Sequence, residues 1–434
     1  KRDANAYIAP NYYHDHDGEL EKERRVGNTF AKGETVNVGL SWIHDRGFTG
    51  ISYSNRQDQY GLPGHNHEYE SCHPHDDHLH CAGNNNAGHK NVPGHNHGGG
   101  HDHEEHDAGP WVDLKTERYD FRSELADPFA GFSKLRAHAS YTDYKHDEIE
   151  GNEVATTFKS KGYDGRLELV HNPVAGWEGV FGTQYTQQKL DITGEESILE
   201  PTKTQKWSLF ALEHKQINDF HIELGARVDH QTIDIESNKK NYSDQAFSGS
   251  AAVNWAFAPN YTLSLVGSHQ QRLPLAQELF ADGKHLATNT YERGNENLDV
   301  EKSNNLELGL RYENGPLDYS MNVYHNWYDN YIYAATTDRY ENFRLVDYTQ
   351  EKARFYGVEG QVGYAINDTY KVSLFGDAVR RTIDGANAPR VASSRGRRAA
   401  ADAGAADVPL RQRRLRAADA DHAGRHLLWR AFVR

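Results

Sequence analysis

From residue 35 the chain alternates apolar and polar side chains. Val36, Val38, Leu40 and Trp42 fall on one face, and Thr35, Asn37, Gly39 and Ser41 on the other. A period of two marks a β-strand with one apolar face. After the turn signal His44-Asp45-Arg46-Gly47, a returning strand begins at Phe48–Tyr53. The pattern recurs to about residue 381. Leu135, Ala137, Ala139 and Tyr141 alternate with Arg136, His138, Ser140 and Thr142; Ile222, Leu224, Ala226 and Val228 alternate with Glu223, Gly225, Arg227 and Asp229. Leu306, Leu308, Leu310 and Tyr312 turn back through Glu313–Pro316 into Leu317, Tyr319, Met321 and Val323. About 14 such strands are expected.

Their connections alternate in length. Short turns at 44–47, 173–176, 218–219, 258–260, 313–316 and 366–369 alternate with long polar stretches at 58–110, 145–154, 190–203, 236–245, 272–302 and 329–353. Long loops at one end and short turns at the other are the pattern of an outer-membrane barrel. A soluble β-sandwich would not put nearly every long loop on one side. Trp42, Tyr144, Trp177, Trp207, Trp255, Tyr261, Trp327 and Tyr370 stand at strand ends, as interfacial aromatic girdles do. The fold class expected is all-β, a partial antiparallel transmembrane β-barrel with long extracellular loops. No stretch approaches the roughly 18 apolar residues of a membrane helix, and the first residues are too polar for a secretory signal.

The longest loop, residues 61–110, carries the chemistry. It holds 12 of the 26 histidines: His65, His67, His73, His75, His78, His80, His89, His95, His97, His101, His103 and His106. Both cysteines, Cys72 and Cys81, lie in it with several carboxylates, and apolar residues are nearly absent. A second small cluster, His14-Asp15-His16-Asp17, sits near the start. Imidazole with carboxylate and thiolate is the ligand set of zinc and its neighbours. A glycine-rich loop with surplus histidines is expected to be mobile and to give several weak, exchanging sites suited to capture and release. Cys72 and Cys81 fit an extracellular disulfide better than thiolate ligation; closing the loop would contribute roughly 3 kcal/mol and gather His73, His75, His78 and His80.

Composition narrows the choice. Over 434 residues the net charge is −15, which disfavours nucleic acid and favours cations. No nucleophile–base motif or H-E-x-x-H is present, and His103-Glu104-Glu105-His106 has the wrong spacing, so an enzyme is not expected. The segment 391–434 breaks the pattern: it is Arg- and Ala-rich, carries +6 and does not alternate. It reads as a disordered basic extension or, preferably, as the product of a reading-frame shift. Domains are therefore set at 1–390, a partial barrel, and 391–434, an aberrant or disordered tail.

One further motif set points to a family. Residues 268–312 contain R-x-P-x-x-x-E-L (Arg272, Pro274, Glu278, Leu279), then G-N-x-x-L-x-x-E-x-S-x-x-x-E-x-G (Gly294, Asn295, Leu298, Glu301, Ser303, Glu307, Gly309). With Phe355–Gly360, F-Y-G-V-E-G, this resembles the barrel signature of TonB-dependent outer-membrane receptors. With the histidine loop, the chain is similar to the zinc-uptake receptors of that family, the ZnuD type. The resemblance implies a 22-stranded barrel in the outer-membrane lipid, an N-terminal plug, and energy coupling through TonB–ExbB–ExbD. This sequence departs from it in having no recognisable plug or TonB box and no final strands. It also implies a defined site on the barrel wall, with His285 the candidate imidazole and Glu124 a weaker candidate carboxylate. The expected cargo is zinc. Copper and nickel remain open by ligand chemistry, and so does haem, which histidine also ligates. Surface sequestration without transport is the other alternative.

Overall fold

In the computed structural model the described residues are 28–63, 69–81, 109–367 and 370–384, together with the backbone of strands Arg2–Asp3, Tyr7–His14 and Leu20–Arg25. Fourteen long strands form the wall. They are β1 (Phe30–His44), β2 (Gly47–Gly61), β3 (Trp111–Phe129), β4 (Phe132–Glu150), β5 (Glu153–His171), β6 (Trp177–Gly194) and β7 (Thr202–Ile217), followed by β8 (Phe220–Ile235), β9 (Tyr242–Ala258), β10 (Tyr261–Arg272), β11 (Glu301–Asn314), β12 (Leu317–Tyr340), β13 (Phe343–Ala365) and β14 (Lys371–Ile383). Each pairs antiparallel with the next, from β1–β2 through β13–β14. The number of strands expected from alternation is the number found. No ladder joins β14 to β1 among the described residues, so the sheet is not closed. The tail from 391 onward lies outside the described residues.

The two faces differ as the alternation requires. Outward stand Val38, Leu40, Ile51, Phe121, Leu167, Leu209, Leu224, Val228, Leu308 and Val323, all exposed. A run of large apolar side chains in the open is what a wall facing hydrocarbon needs. The inner face is polar and hydrogen-bonded to itself. Asp120 is held by Arg118, and His138 lies between Asp120 (3.4 Å) and Asp164 (3.6 Å). Gln184 donates to Asp164 at 2.7 Å, and Arg227 binds Asp229 and the Ser208 hydroxyl.

Aromatics form two bands. Tyr53, Tyr119, Tyr141 and Tyr163 occupy matching positions on β2–β5, with ring centroids 5.0, 6.3 and 4.8 Å apart in succession. Near the short turns, Phe220, Trp255, Phe257, Tyr261, Tyr312 and Tyr319 make an unbroken chain of ring contacts. Beside that row Tyr185 and Trp207 continue the upper aromatics, 4.5 Å apart, and Trp207 lies opposite His230, ten positions along β8 from Phe220. At ~3.4 Å per residue and a tilt near 40°, that separates the bands by roughly 26 Å, the height of a lipid-facing belt.

The strands are longer than a membrane requires. A span needs about 9–11 residues, whereas β12 has 24 and β13 has 23. Two expected long loops are therefore largely strand. The stretch 145–154 is β4 and β5 meeting at Gly151, which takes φ 56°, and 329–353 is the β12–β13 hairpin, which turns at Glu341–Asn342. Polarity there marks the height at which the hairpin leaves the lipid, not the point at which it leaves the sheet.

Residues 273–300 fold back as a cap. The one-turn helix α1 (Ala276–Phe280) and two short strands, Asp282–His285 and Thr290–Arg293, cover the inner face at the long-loop end. Leu279, Phe280 and Leu298 bury there against Ile192, Ile198, Leu199, Ile233, Ile235 and Ile332. Arg272 locks the cap, binding Glu278 at 2.9 Å and Glu301 at 3.2 Å. Glu278 also accepts the Leu275 amide, and Glu301 the Ile332 amide. Gly294 lies so close to α1 that a Cβ would sit 2.5 Å from the Leu279 carbonyl carbon and the Phe280 nitrogen. The motif residues Arg272, Glu278, Gly294, Leu298 and Glu301 thus hold a loop in place.

Candidate metal centre at the long-loop end

Part of the histidine loop has a definite structure. Residues 73–75 and 78–80 form a hairpin with His73 opposite His80 and His75 opposite His78. Positions two apart on a strand share a face, so all four imidazoles lie on one side and Pro74 and Leu79 on the other. The His73 and His80 rings are 6.2 Å apart, and His75 and His80 5.5 Å. Cys72 and Cys81 are joined in a disulfide at the base of the hairpin, as expected. Fully buried Cys72 packs with Tyr69, Leu286 and Phe343, and Tyr69 stacks on Phe343 at 5.4 Å.

Polar contacts finish the docking. Asp338 accepts the Leu79 amide at 2.7 Å and lies 3.7 Å from the His78 ring nitrogen. Arg293 donates to the Asp76 carbonyl at 2.6 Å and reaches Asp77 at 3.4 Å, and Lys284 donates to the Glu70 carbonyl. Residues 69–81, expected as part of a mobile loop, take a defined hairpin held by the disulfide, the Tyr69–Phe343 contact and these polar contacts. His65, His67, His89, His95, His97, His101, His103 and His106 lie outside the described residues.

Beneath the hairpin is a second, more buried cluster. His285 Nδ1 lies 3.2 Å from Glu292 Oε1, and Glu292 also receives Gln277 at 2.7 Å and the Tyr348 hydroxyl at 3.2 Å. Burial works against the charge on His285, but the hydrogen bond and field of Glu292, with Glu196 and Glu148 behind it, more than reverse this and raise its pKa. Burial likewise pushes Glu292 up, and its bonds from His285, Gln277 and Tyr348 outweigh it and hold the carboxyl below the usual range. A carboxylate engaging Nδ1 fixes the tautomer and presents Nε2 as the ligating atom.

Two more carboxylates approach, Glu148 from β4 and Glu196 from the loop after β6. Glu196 Oε2 accepts the amide of Leu286, the residue after His285, at 2.7 Å. The Glu196 amide donates to Thr156 Oγ1 at 3.1 Å, and Thr156 is the direct cross-strand partner of Glu148. Glu148 is 6% exposed. Its Oε1 is 3.9 Å from His146 Nε2, and its Oε2 is buried without a hydrogen-bond partner among the described residues. An orphaned buried carboxylate oxygen is costly and is what a cation would satisfy. Higher up, carboxylate oxygens of Glu70, Glu150 and Glu195 come within 4.8 Å of one another, another arrangement that could hold a cation.

The structure separates the two candidates placed on the wall. His285 is in the cluster. Glu124 is near the short turns, at the other end of β3, bound to Lys134 at 3.0 Å and Arg136 at 3.1 Å. Sequence reasoning missed His146, Glu148, Glu196 and Glu292. Only His146-x-Glu148 carried a signal, the two-residue spacing that puts both on one strand face.

The profile described as "TonB dependent receptor-like, beta-barrel" matches residues 35–417. A Rhizobium meliloti (strain 1021) rhizobactin receptor is 25% identical over 108 residues, 25% of this chain and 14% of that receptor. Among solved structures the fold is similar to the copper transporter OprC (TM-score 0.62, 13% identity, 86% of this chain and 55% of that one). It is also similar to the FrpB iron transporter of Neisseria meningitidis (0.62, 11%, 88% and 56%) and to the Serratia marcescens hemophore receptor HasR (0.60, 13%, 86% and 57%). The chain spans a little over half the length of these solved receptors. Its fourteen-strand meander, lipid-facing apolar side and family match together show that the chain belongs to the TonB-dependent receptor β-barrel family of the outer membrane.

Proposed function

We propose that the protein is the barrel portion of an outer-membrane receptor that imports a divalent metal ion, zinc first, under TonB–ExbB–ExbD coupling. The histidine hairpin captures the ion, and the His285 cluster below it is the defined wall site. The observation that carries this is the buried Glu148 oxygen, unpartnered among the described residues, in a cluster that also contains His146, Glu196 and a His285 oriented by Glu292. Imidazole nitrogen with carboxylate oxygen suits zinc. Copper, the cargo named for OprC, binds the same donors more tightly by intrinsic order, so selectivity would come from geometry and supply. Haem, named for the HasR complex, has less support, because a carboxylate-rich cluster repels its propionates.

The test is growth and zinc accumulation on scarce zinc in cells carrying the full-length receptor. His285→Ala should cut uptake at unchanged surface expression, and Glu292→Gln, which removes the partner that orients His285, should lower metal affinity roughly 10–100-fold. Unchanged uptake would reject the cluster; an unaltered zinc phenotype with lost haem growth would favour haem instead. Metal bound at the surface with no accumulation inside would favour sequestration.

A further inference from the structure

We propose that Glu178, His214, Glu223 and His221 form a second divalent-metal site, at the short-turn mouth of the inner face. This site is at the opposite end of the wall from the histidine hairpin. Glu178, His214 and Glu223 are direct cross-strand partners on β6, β7 and β8. They form one row, and His221 stands two residues from Glu223 on the same face. That face is the inner one: along the unbroken ladders it is shared by buried Gln184 on β6, Ser208 on β7, and Gln231 and Ile233 on β8.

The side chains already approach. His214 Nε2 is 3.7 Å from Glu178 Oε2, His221 Nε2 is 3.0 Å from Glu223 Oε1, and the two imidazole rings are 5.6 Å apart. The four ligand atoms are not gathered within 4.8 Å of one another as they stand; directly opposed residues have Cβ atoms about 5 Å apart, so rotamer changes of these long side chains would bring their tips to one ion. Two imidazoles and two carboxylates make a four-coordinate N₂O₂ set at ordinary bond lengths of about 2.0–2.2 Å. His214 and Glu178 are half-exposed, so an ion can enter and leave.

Several carboxylates of this face are matched by arginine: Asp120 by Arg118, Glu168 by Arg166, Asp229 by Arg227. Others, Asp164 and Glu148, pair with imidazole, and the row belongs to this second kind. Glu178 and Glu223 make ion pairs only with imidazole among the described residues. The nearest lysine, Lys215, points away, donating to the Ala175 carbonyl and lying over Trp177. Arginine neutralises a carboxylate permanently; imidazole leaves it able to take a metal. The binding stands on this geometry alone and does not depend on the uptake function proposed above.

The experiment uses the full-length receptor in detergent and zinc chloride alone. Diethyl pyrocarbonate modification of His214 and His221, read by mass spectrometry, should slow when zinc is present. Equal reactivity with and without zinc overturns the site. His214→Ala/His221→Ala should bind one zinc equivalent fewer than the parent; undiminished stoichiometry overturns it equally. If zinc protects His214 while His285→Ala imports normally, this site stands and the wall site falls. If import depends on His285 while His214 is unprotected, the reverse holds.

Discussion

Glu292 and Arg293 are neighbours on one short strand and serve opposite sides of it. Glu292 holds His285 at 3.2 Å in the buried cluster, while Arg293 reaches Asp77 of the histidine hairpin at 3.4 Å and Asp347 at 2.5 Å. The paired strand repeats the division: His285 faces the cluster, and Lys284 donates to Glu70 of the hairpin loop. Alternation therefore makes the cap a partition between the histidine hairpin above and the His285 cluster below.

Undocking the hairpin should leave the wall intact. Phe343→Ala removes the ring on which Tyr69 stacks and opens a cavity beside the disulfide, a loss of about 3–5 kcal/mol where such rings are fully buried. Amide exchange in 69–81 should accelerate while β3–β8 stay protected; uniform acceleration would mean the anchor supports the whole sheet. Cys72→Ser should act in the same direction, by roughly 3 kcal/mol.

Arg272 bridges α1 and β11, so Arg272→Ala leaves Glu278 and Glu301 facing each other unpaired. The expected cost is on the order of 3 kcal/mol, read as a lower denaturation midpoint and as protease cleavage within 273–300. Arg272→Lys should not restore it, since one ammonium cannot serve both carboxylates with a planar fork. Full recovery with lysine would argue for simple charge balance.

The His285–Glu292 pair has a definite pH window. The pKa of His285 is raised on folding, so its contribution is complete below about pH 6.5 and fades as pH rises through the raised value. That of Glu292 is lowered, so its contribution is complete above about pH 4.3 and is lost as pH falls through the lowered value. The pair should anchor the cap best between those limits. Glu292→Gln should bring the His285 midpoint down in a histidine NMR titration of metal-free protein; an unmoved midpoint would show that Glu292 is not the cause.

The outward face should reject charge by depth. Leu224→Arg, between the aromatic bands, should cost about 2–4 kcal/mol in lipid. The same change at exposed Val154, beyond the upper band, should cost close to nothing. Equal costs in refolding titrations would contradict the placement of the belt.

Much of this was legible in the chain itself. Period-two alternation fixed the wall, its strand number and its two faces, because each strand must put alternate side chains into lipid. The Cys72–Cys81 pairing was favoured from short spacing, and His285 was reached through the motif set around Arg272 and Gly294. Which carboxylates meet His285 could not be read, since Glu148, Glu196 and Glu292 are far apart in sequence and converge only when the cap folds onto β4 and the 195–201 loop. The register of β3 places Glu124 near the short turns, away from His285, and the cap gives a defined docking place to a histidine hairpin that composition alone marks as mobile. Local sequence determines which way a side chain faces along a strand; only the cross-strand register and the folded cap decide what it meets there.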